Sequence, residues 1–140
     1  MSLSSKHSGS VRHSDVARHV LSALDEGRQI APLSDGDPAF DLASAYRVAA
    51  DVRRLREERG ERVLGRKIGF TNTTIWAEYA VDAPIWGHVY DTTLHRLTGP
   101  EASFGLSVLA EPRIEPEIVF CLSRQPRADM DERALLSCVD

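Results

Sequence analysis

Apolar residues recur at helical spacing in two stretches before the pattern changes. Val16, Val20, Leu21 and Leu24 form one stripe, a spacing that lines one side of an α-helix. Ser14 is placed to cap that helix and Gly27 to stop it, so the pattern predicts a helix from Ser14 to about Glu26. Leu42, Ala45, Tyr46, Ala49, Val52 and Leu55 form a second stripe and predict a helix from near Asp41 to Gly60. Arg53, Arg54 and Arg56 suit its C-terminal end, where the helix dipole favours cations, although Glu57 and Glu58 dilute that effect. Between the two stripes, Ala31-Pro32-Leu33 and the Gly/Asp/Pro-rich residues 34–38 read as a loop.

Beyond Gly60 the pattern becomes that of strands. Residues 63–70 read as a strand containing Gly65 and Gly69, and glycine inside a strand marks a bulge or a close approach to the backbone. Thr71 or Asn72 can cap a short helix through Ala80, and residues 81–90 read as a loop leading into a strand. Residues 92–97 and 103–110 are expected to be short and extended. The strongest strand pattern covers residues 113–122, with Pro116 suggesting an edge or a bulge because it cannot donate to a ladder. Asp129-Met130-Asp131-Glu132 fits a capping box that opens a helix through Leu135 and Leu136. Two helices, then mostly strands, then a helix opening is an α+β order rather than an alternating one. No internal repeat or low-complexity tract is present.

Size and charge narrow the function classes. A chain of 140 residues corresponds to one domain with a modest core. The net charge is −4, and Arg53-Arg54-Leu55-Arg56 is followed at once by two glutamates. That cluster therefore reads as a solvated helix face, and nucleic acid is not an expected partner. No stretch approaches the roughly 18 apolar residues of a membrane span. The first ten residues are polar and lack the apolar core of a secretory signal. Residues 1–12 are expected to be a disordered or vector-derived start. The two cysteines, Cys121 and Cys138, show no metal-binding spacing and read as free thiols of a cytoplasmic protein.

Candidate chemistry lies in three places. Glu115 and Glu117 flank Pro116, and in an extended strand residues two apart point to one face. Two like charges side by side repel, and a divalent cation relieves the conflict; carboxylate oxygens suit Mg²⁺ or Mn²⁺. A solvated edge strand carrying two glutamates accounts for the same spacing. Lys67 stands between Gly65 and Gly69, where a cation could hold a substrate carboxylate or, with its pKa lowered by burial, donate a proton. It could equally be an exposed strand lysine. Asp82 precedes Ala83-Pro84 and could be a simple turn residue. His88 could act as a base, and Trp76 and Trp86 suit the core or a pocket wall.

Taken in order, these segments resemble a known family. Residues 30–33 (Ile-Ala-Pro-Leu), the helix containing Ala45-Tyr46, residues 65–71 (Gly-Arg-Lys-Ile-Gly-Phe-Thr), residues 81–87 (Val-Asp-Ala-Pro-Ile-Trp-Gly) and residues 112–118 (Pro-Arg-Ile-Glu-Pro-Glu-Ile) follow one another. This succession resembles the 2-keto-4-pentenoate hydratase and 4-oxalocrotonate decarboxylase family of the fumarylacetoacetate hydrolase superfamily, from roughly Val16 to Asp140. The resemblance implies a lyase using Mg²⁺ or Mn²⁺, with Glu115 and Glu117 as the first two metal ligands, Lys67 as the active-site lysine and Asp82 as its aspartate. It implies short 2-oxo or 2-hydroxy-dienoic acids from aromatic hydrocarbon catabolism as substrates. The expected reaction is hydration of 2-hydroxypenta-2,4-dienoate to 4-hydroxy-2-oxopentanoate, with decarboxylation of 4-oxalocrotonate as the alternative. A C–C bond hydrolase of the superfamily and a non-catalytic partner subunit are further alternatives.

The family is longer than this chain. Its third carboxylate ligand and the rest of its β-rich fold are expected downstream, so the chain is expected to be an N-terminal portion, inactive alone. Residues 13–62 would be a helical region and residues 63–140 the first part of a mixed β-rich catalytic domain. A homo-oligomer, or association with a paired hydratase or decarboxylase, is expected, as is exposed apolar surface that promotes self-association.

Overall fold

A computed structural model describes the backbone of residues 8–140 and the side chains of residues 13–140. Of the expected disordered start, residues 1–7 lie outside the described residues, whereas the backbone of residues 8–12 is helical and belongs to the first helix. The elements are α1 (Ser8–Asp25), α2 (Leu33–Gly36), α3 (Leu42–Glu58), β1 (Val63–Gly69), a 3-10 turn (Thr73–Ile75), α4 (Trp76–Tyr79), β2 (Ile85–Tyr90) and α5 (Glu132–Leu136). Helices with a two-stranded antiparallel sheet give the expected α+β class. The chain divides into two compact units between Ala110 and Glu111.

In the first unit, α1 packs on α3. The apolar stripes predict this pairing but shift in detail. On α1 the buried positions are Ala17, Leu21 and Ala23, whereas Leu24 is exposed. On α3 they are Ser44 and Val48, and Ala49 is exposed. Small residues at the crossing let two helices approach closely, so the interface forms around alanine and serine rather than around the largest side chains. The first helix also starts before Ser14, whose hydroxyl reaches Asp51 of α3 instead of capping α1. Asp41 does cap α3, accepting from the Ser44 backbone N–H at 2.7 Å.

Gly27 ends α1 with φ +60°, and the Arg28 N–H returns to the Ala23 carbonyl. This is a left-handed helix terminus that glycine accepts without a steric penalty. A Cβ at Gly27 would lie 2.5 Å from the Val108 carbonyl oxygen, so the 106–109 turn packs directly on this glycine.

An ion-pair cluster ties the helical layer to the hairpin. Glu61 is buried and receives Arg56, Arg59 and the Thr92 hydroxyl, while Arg59 also forks onto Asp25 at the end of α1. Arg56 also lies over the Tyr90 ring, 4.0 Å from its centroid. The reading of Arg53-Arg54-Leu55-Arg56 as a solvated face therefore holds for Arg53 and Arg54, which make exposed pairs with Glu57 and Glu58. It fails for Arg56, which turns inward because α3 faces the hairpin at that position.

The second unit differs most from the sequence pattern. Residues 113–122 do not form the predicted strand; a single bridge joins Leu122 to Val139. Ile114 is 95% exposed and Val119 89% exposed. A strand needs a neighbour for its backbone hydrogen bonds and a layer for its apolar face, and no described strand supplies either for this segment. In the first unit, residues 92–97 and 103–110 likewise adopt turns and irregular backbone in place of the expected extended segments. The capping box at Asp129 is also corrected. Asp131 caps α5 by accepting from the Ala134 N–H, and Asp129 forks onto Arg127. Cys138 is buried, 3.8 Å from the Met130 sulfur, and Cys121 is exposed; both are free thiols.

Candidate functional site

The β1–β2 ladder fixes which side chains share a face. Its pairs run Gly65 with Val89, Arg66 with His88, Lys67 with Gly87, Ile68 with Trp86 and Gly69 with Ile85. Strand alternation therefore puts Lys67 on one face and Arg66, Trp86 and His88 on the other. On its own face, Lys67 has Gly65 and Gly69 two residues away along β1 and Gly87 directly opposite. Cβ atoms added at Gly65 or Gly87 would meet nothing within 4 Å. Glycine weakens strands, and Gly65 and Gly87 leave space beside Lys67, whereas a Cβ at Gly69 would meet the Ile85 side chain at 3.6 Å. The sequence singled out Lys67 between two glycines; the third, Gly87, becomes visible only through the register.

The opposite face anchors the hairpin to α3. Tyr46 stacks on Trp86 at 5.2 Å between centroids, and its hydroxyl accepts from the Trp86 backbone N–H at 3.2 Å. Arg66 lies 4.3 Å over the Trp86 ring. His88 meets Trp86 and Tyr90 edge-on at 5.2 and 6.2 Å. Its Nδ1 is buried without a hydrogen-bond partner. Burial, followed by Arg53 and Arg66, pushes the His88 pKa below its usual value against a smaller opposing effect of Glu57. His88 thus belongs to the packing face and points away from the face of Lys67.

The stretch after Lys67 is tightly held. Phe70 takes φ +55°, unusual for a residue with a side chain. Its carbonyl accepts from Trp76 Nε1 at 2.8 Å, and its ring meets Tyr79 edge-on. Asn72, rather than Thr71, caps the following turn through the Thr74 N–H. Asp82 is exposed in the bend that leads from α4 into β2. Both Lys67 and Asp82 lie near the Gly69–Ile85 end of the ladder.

Glu115 and Glu117 belong to the second unit, in irregular backbone, and both are exposed. The paired-face argument from strand geometry therefore does not apply to them as it stands. Their chemistry still fits a hard divalent cation, since two carboxylates and water oxygens make a suitable donor set for Mg²⁺ or Mn²⁺. Among the described residues no group of three or more His, Cys, Asp or Glu side chains is gathered for a metal. The fit is thus to two protein ligands.

Comparison with known proteins gives a consistent picture. The chain is 34% identical over 110 residues to a 2-keto-4-pentenoate hydratase of Paraburkholderia xenovorans, covering 79% of this chain and 40% of that protein. It is 31% identical over 104 residues to a 4-oxalocrotonate decarboxylase of Pseudomonas putida, covering 74% and 38%. The structure of the 4-oxalocrotonate decarboxylase from Pseudomonas putida G7, complexed with magnesium and adipate, superposes with a TM-score of 0.57 at 29% identity. That match covers 59% of this chain and 31% of the other. The chain spans about two-fifths of the length of the curated relatives it matches. No family model matches.

Proposed function

We propose, from the premise that this chain is a homologue of the 2-keto-4-pentenoate hydratases and 4-oxalocrotonate decarboxylases over most of its length, that it serves a metal-dependent lyase reaction on short 2-oxo or 2-hydroxy-dienoic acids. The reaction favoured is hydration of 2-hydroxypenta-2,4-dienoate to 4-hydroxy-2-oxopentanoate. The observation that supports the reading is the face of Lys67, where Gly65 and Gly87 leave space that suits a planar acid.

Lys67 holds the substrate carboxylate or the negative charge that develops on its 2-oxo oxygen. Asp82 orients Lys67 or carries a proton. Glu115 and Glu117 would hold Mg²⁺ or Mn²⁺, which when bound supplies Lewis-acid polarisation of the 2-oxo group. In this reading the helical region of residues 13–62 precedes the first part, residues 63–140, of a fumarylacetoacetate-hydrolase-like β-rich domain. The protein acts in the cytoplasm as a homo-oligomer or with a paired hydratase or decarboxylase. Among the described residues no helix is long and apolar enough to cross a membrane.

Decarboxylation of 4-oxalocrotonate is the second reading, favoured by the solved decarboxylase to which the chain is similar. Hydrolytic C–C cleavage is disfavoured, because His88, the base nearest these motifs, points away from Lys67. The test is the ultraviolet absorbance of 2-hydroxypenta-2,4-dienoate with the protein, in Mg²⁺ and in excess EDTA, beside a CO₂ assay on 4-oxalocrotonate. Metal-dependent loss of the dienol band supports hydration, and metal-dependent CO₂ release supports the second reading. Neither change, in Mg²⁺ or in Mn²⁺, contradicts lyase activity for this chain.

A further inference from the structure

His88 occupies an unusual position for a titratable group. It is half-buried in the seam between the hairpin and α3, in T-shaped contact with the rings of Trp86 and Tyr90. Across the ladder stands Arg66, whose guanidinium covers Trp86. From α3 come Arg53 and Glu57, which pair with each other, and Tyr46, which grips Trp86 by stacking and by hydrogen bond. Further along the same seam, Arg56 and Glu61 surround Tyr90. The nearest charges are mainly cationic, and the buried Nδ1 has no acceptor beside it. A neutral ring with its proton on Nε2 fits this site. A protonated ring would bring a buried N–H with no partner and a positive charge beside two arginines, and both are costly away from water.

We propose that the docking of the β1–β2 hairpin on α3 is a pH-sensitive contact, in which protonation of His88 between Trp86 and Tyr90 loosens the hold of β2 on Tyr46. The consequence reaches the opposite face of the same strands, because Lys67 is carried on the ladder that this seam positions. The direction follows from linkage. The folded ring binds its proton more weakly than the unfolded one, so the unfolded state takes up more protons as pH falls. The contribution is fully present above the unfolded value of about 6.5, declines as pH drops from there toward the folded value, and levels off below it.

The test compares thermal unfolding of the wild-type chain and of His88→Phe at pH 7.5 and pH 5.0. Phenylalanine keeps a flat ring between Trp86 and Tyr90 and cannot titrate. The other histidines and the carboxylates are common to both proteins, so they cancel in the comparison. Between the two pH values the wild type should lose more in Tm than the variant loses. Equal losses overturn the proposal. Should His88→Phe fail to fold, NMR of the wild type decides. A His88 titration midpoint below about 6.5, with Trp86 and Tyr46 ring signals moving at the same midpoint, supports the proposal. A midpoint at or above that value, or unmoved ring signals, overturns it.

Discussion

Lys67 stands directly across the ladder from Gly87, on a face where its neighbours along β1 are also glycines. Replacing Gly87 by valine puts a branched side chain against the lysine stem. Nothing lies within 4 Å of the added Cβ, so folding stability should hold or rise by up to about 1 kcal/mol, valine being the better strand former. Binding of a 2-oxo acid probe, measured by calorimetry, should weaken by roughly tenfold or more, because the space beside the cation is filled. Unchanged binding would show that the ligand does not use this face.

Gly27 should tolerate substitution far less well. Gly27→Ala places a Cβ 2.5 Å from the Val108 carbonyl in a left-handed conformation. The expected loss is about 1–3 kcal/mol in denaturant unfolding. A loss under 0.5 kcal/mol would mean that the 106–109 turn is not packed on α1.

Glu61 should set the acid limit of the first unit. Burial raises its pKa, but hydrogen bonds from Arg56, Thr92 and Arg59 outweigh that and bring it down to about 2. A carboxylate depressed in the folded state stabilises above its unfolded value of about 4.5 and loses that contribution as pH falls toward 2. Glu61→Gln should cost about 2–3 kcal/mol at pH 7 and flatten the decline of stability between pH 4.5 and pH 2. Unfolding curves at several pH values would reveal either pattern.

Tyr46→Phe isolates one contact of the seam. It keeps the stack on Trp86 but removes the acceptor for the Trp86 N–H. A cost of about 0.5–1.5 kcal/mol in chemical unfolding is expected.

Helices α1 and α3 and the first two strands were legible because their signals are local, whereas the single turn of α2 formed where a loop was expected. Asp41, Gly27 and Gly60 mark the helix ends, and strands form at residues 63–69 and 85–90 within the stretches read as extended. The register was not legible, so Gly87 opposite Lys67 and the inward turn of Arg56 could not be read from spacing. Residues 113–122 failed for the opposite reason. Their composition is that of a strand, but strand formation depends on partners remote in the chain, and the described residues offer only the Leu122–Val139 bridge. Lys67 lies within β1 and Asp82 in the bend before β2, whereas the strand face expected to align Glu115 with Glu117 did not form.

We propose that Glu115 and Glu117 together hold a divalent cation. Electron paramagnetic resonance of Mn²⁺ titrated with the protein tests it most directly, with the double variant Glu115→Gln/Glu117→Gln as control. The expected result is loss of the free Mn²⁺ signal with wild type, recovery of that signal when excess Mg²⁺ competes, and retention of the free signal with the variant. Equal Mn²⁺ binding by wild type and variant, or no binding by either, would contradict it.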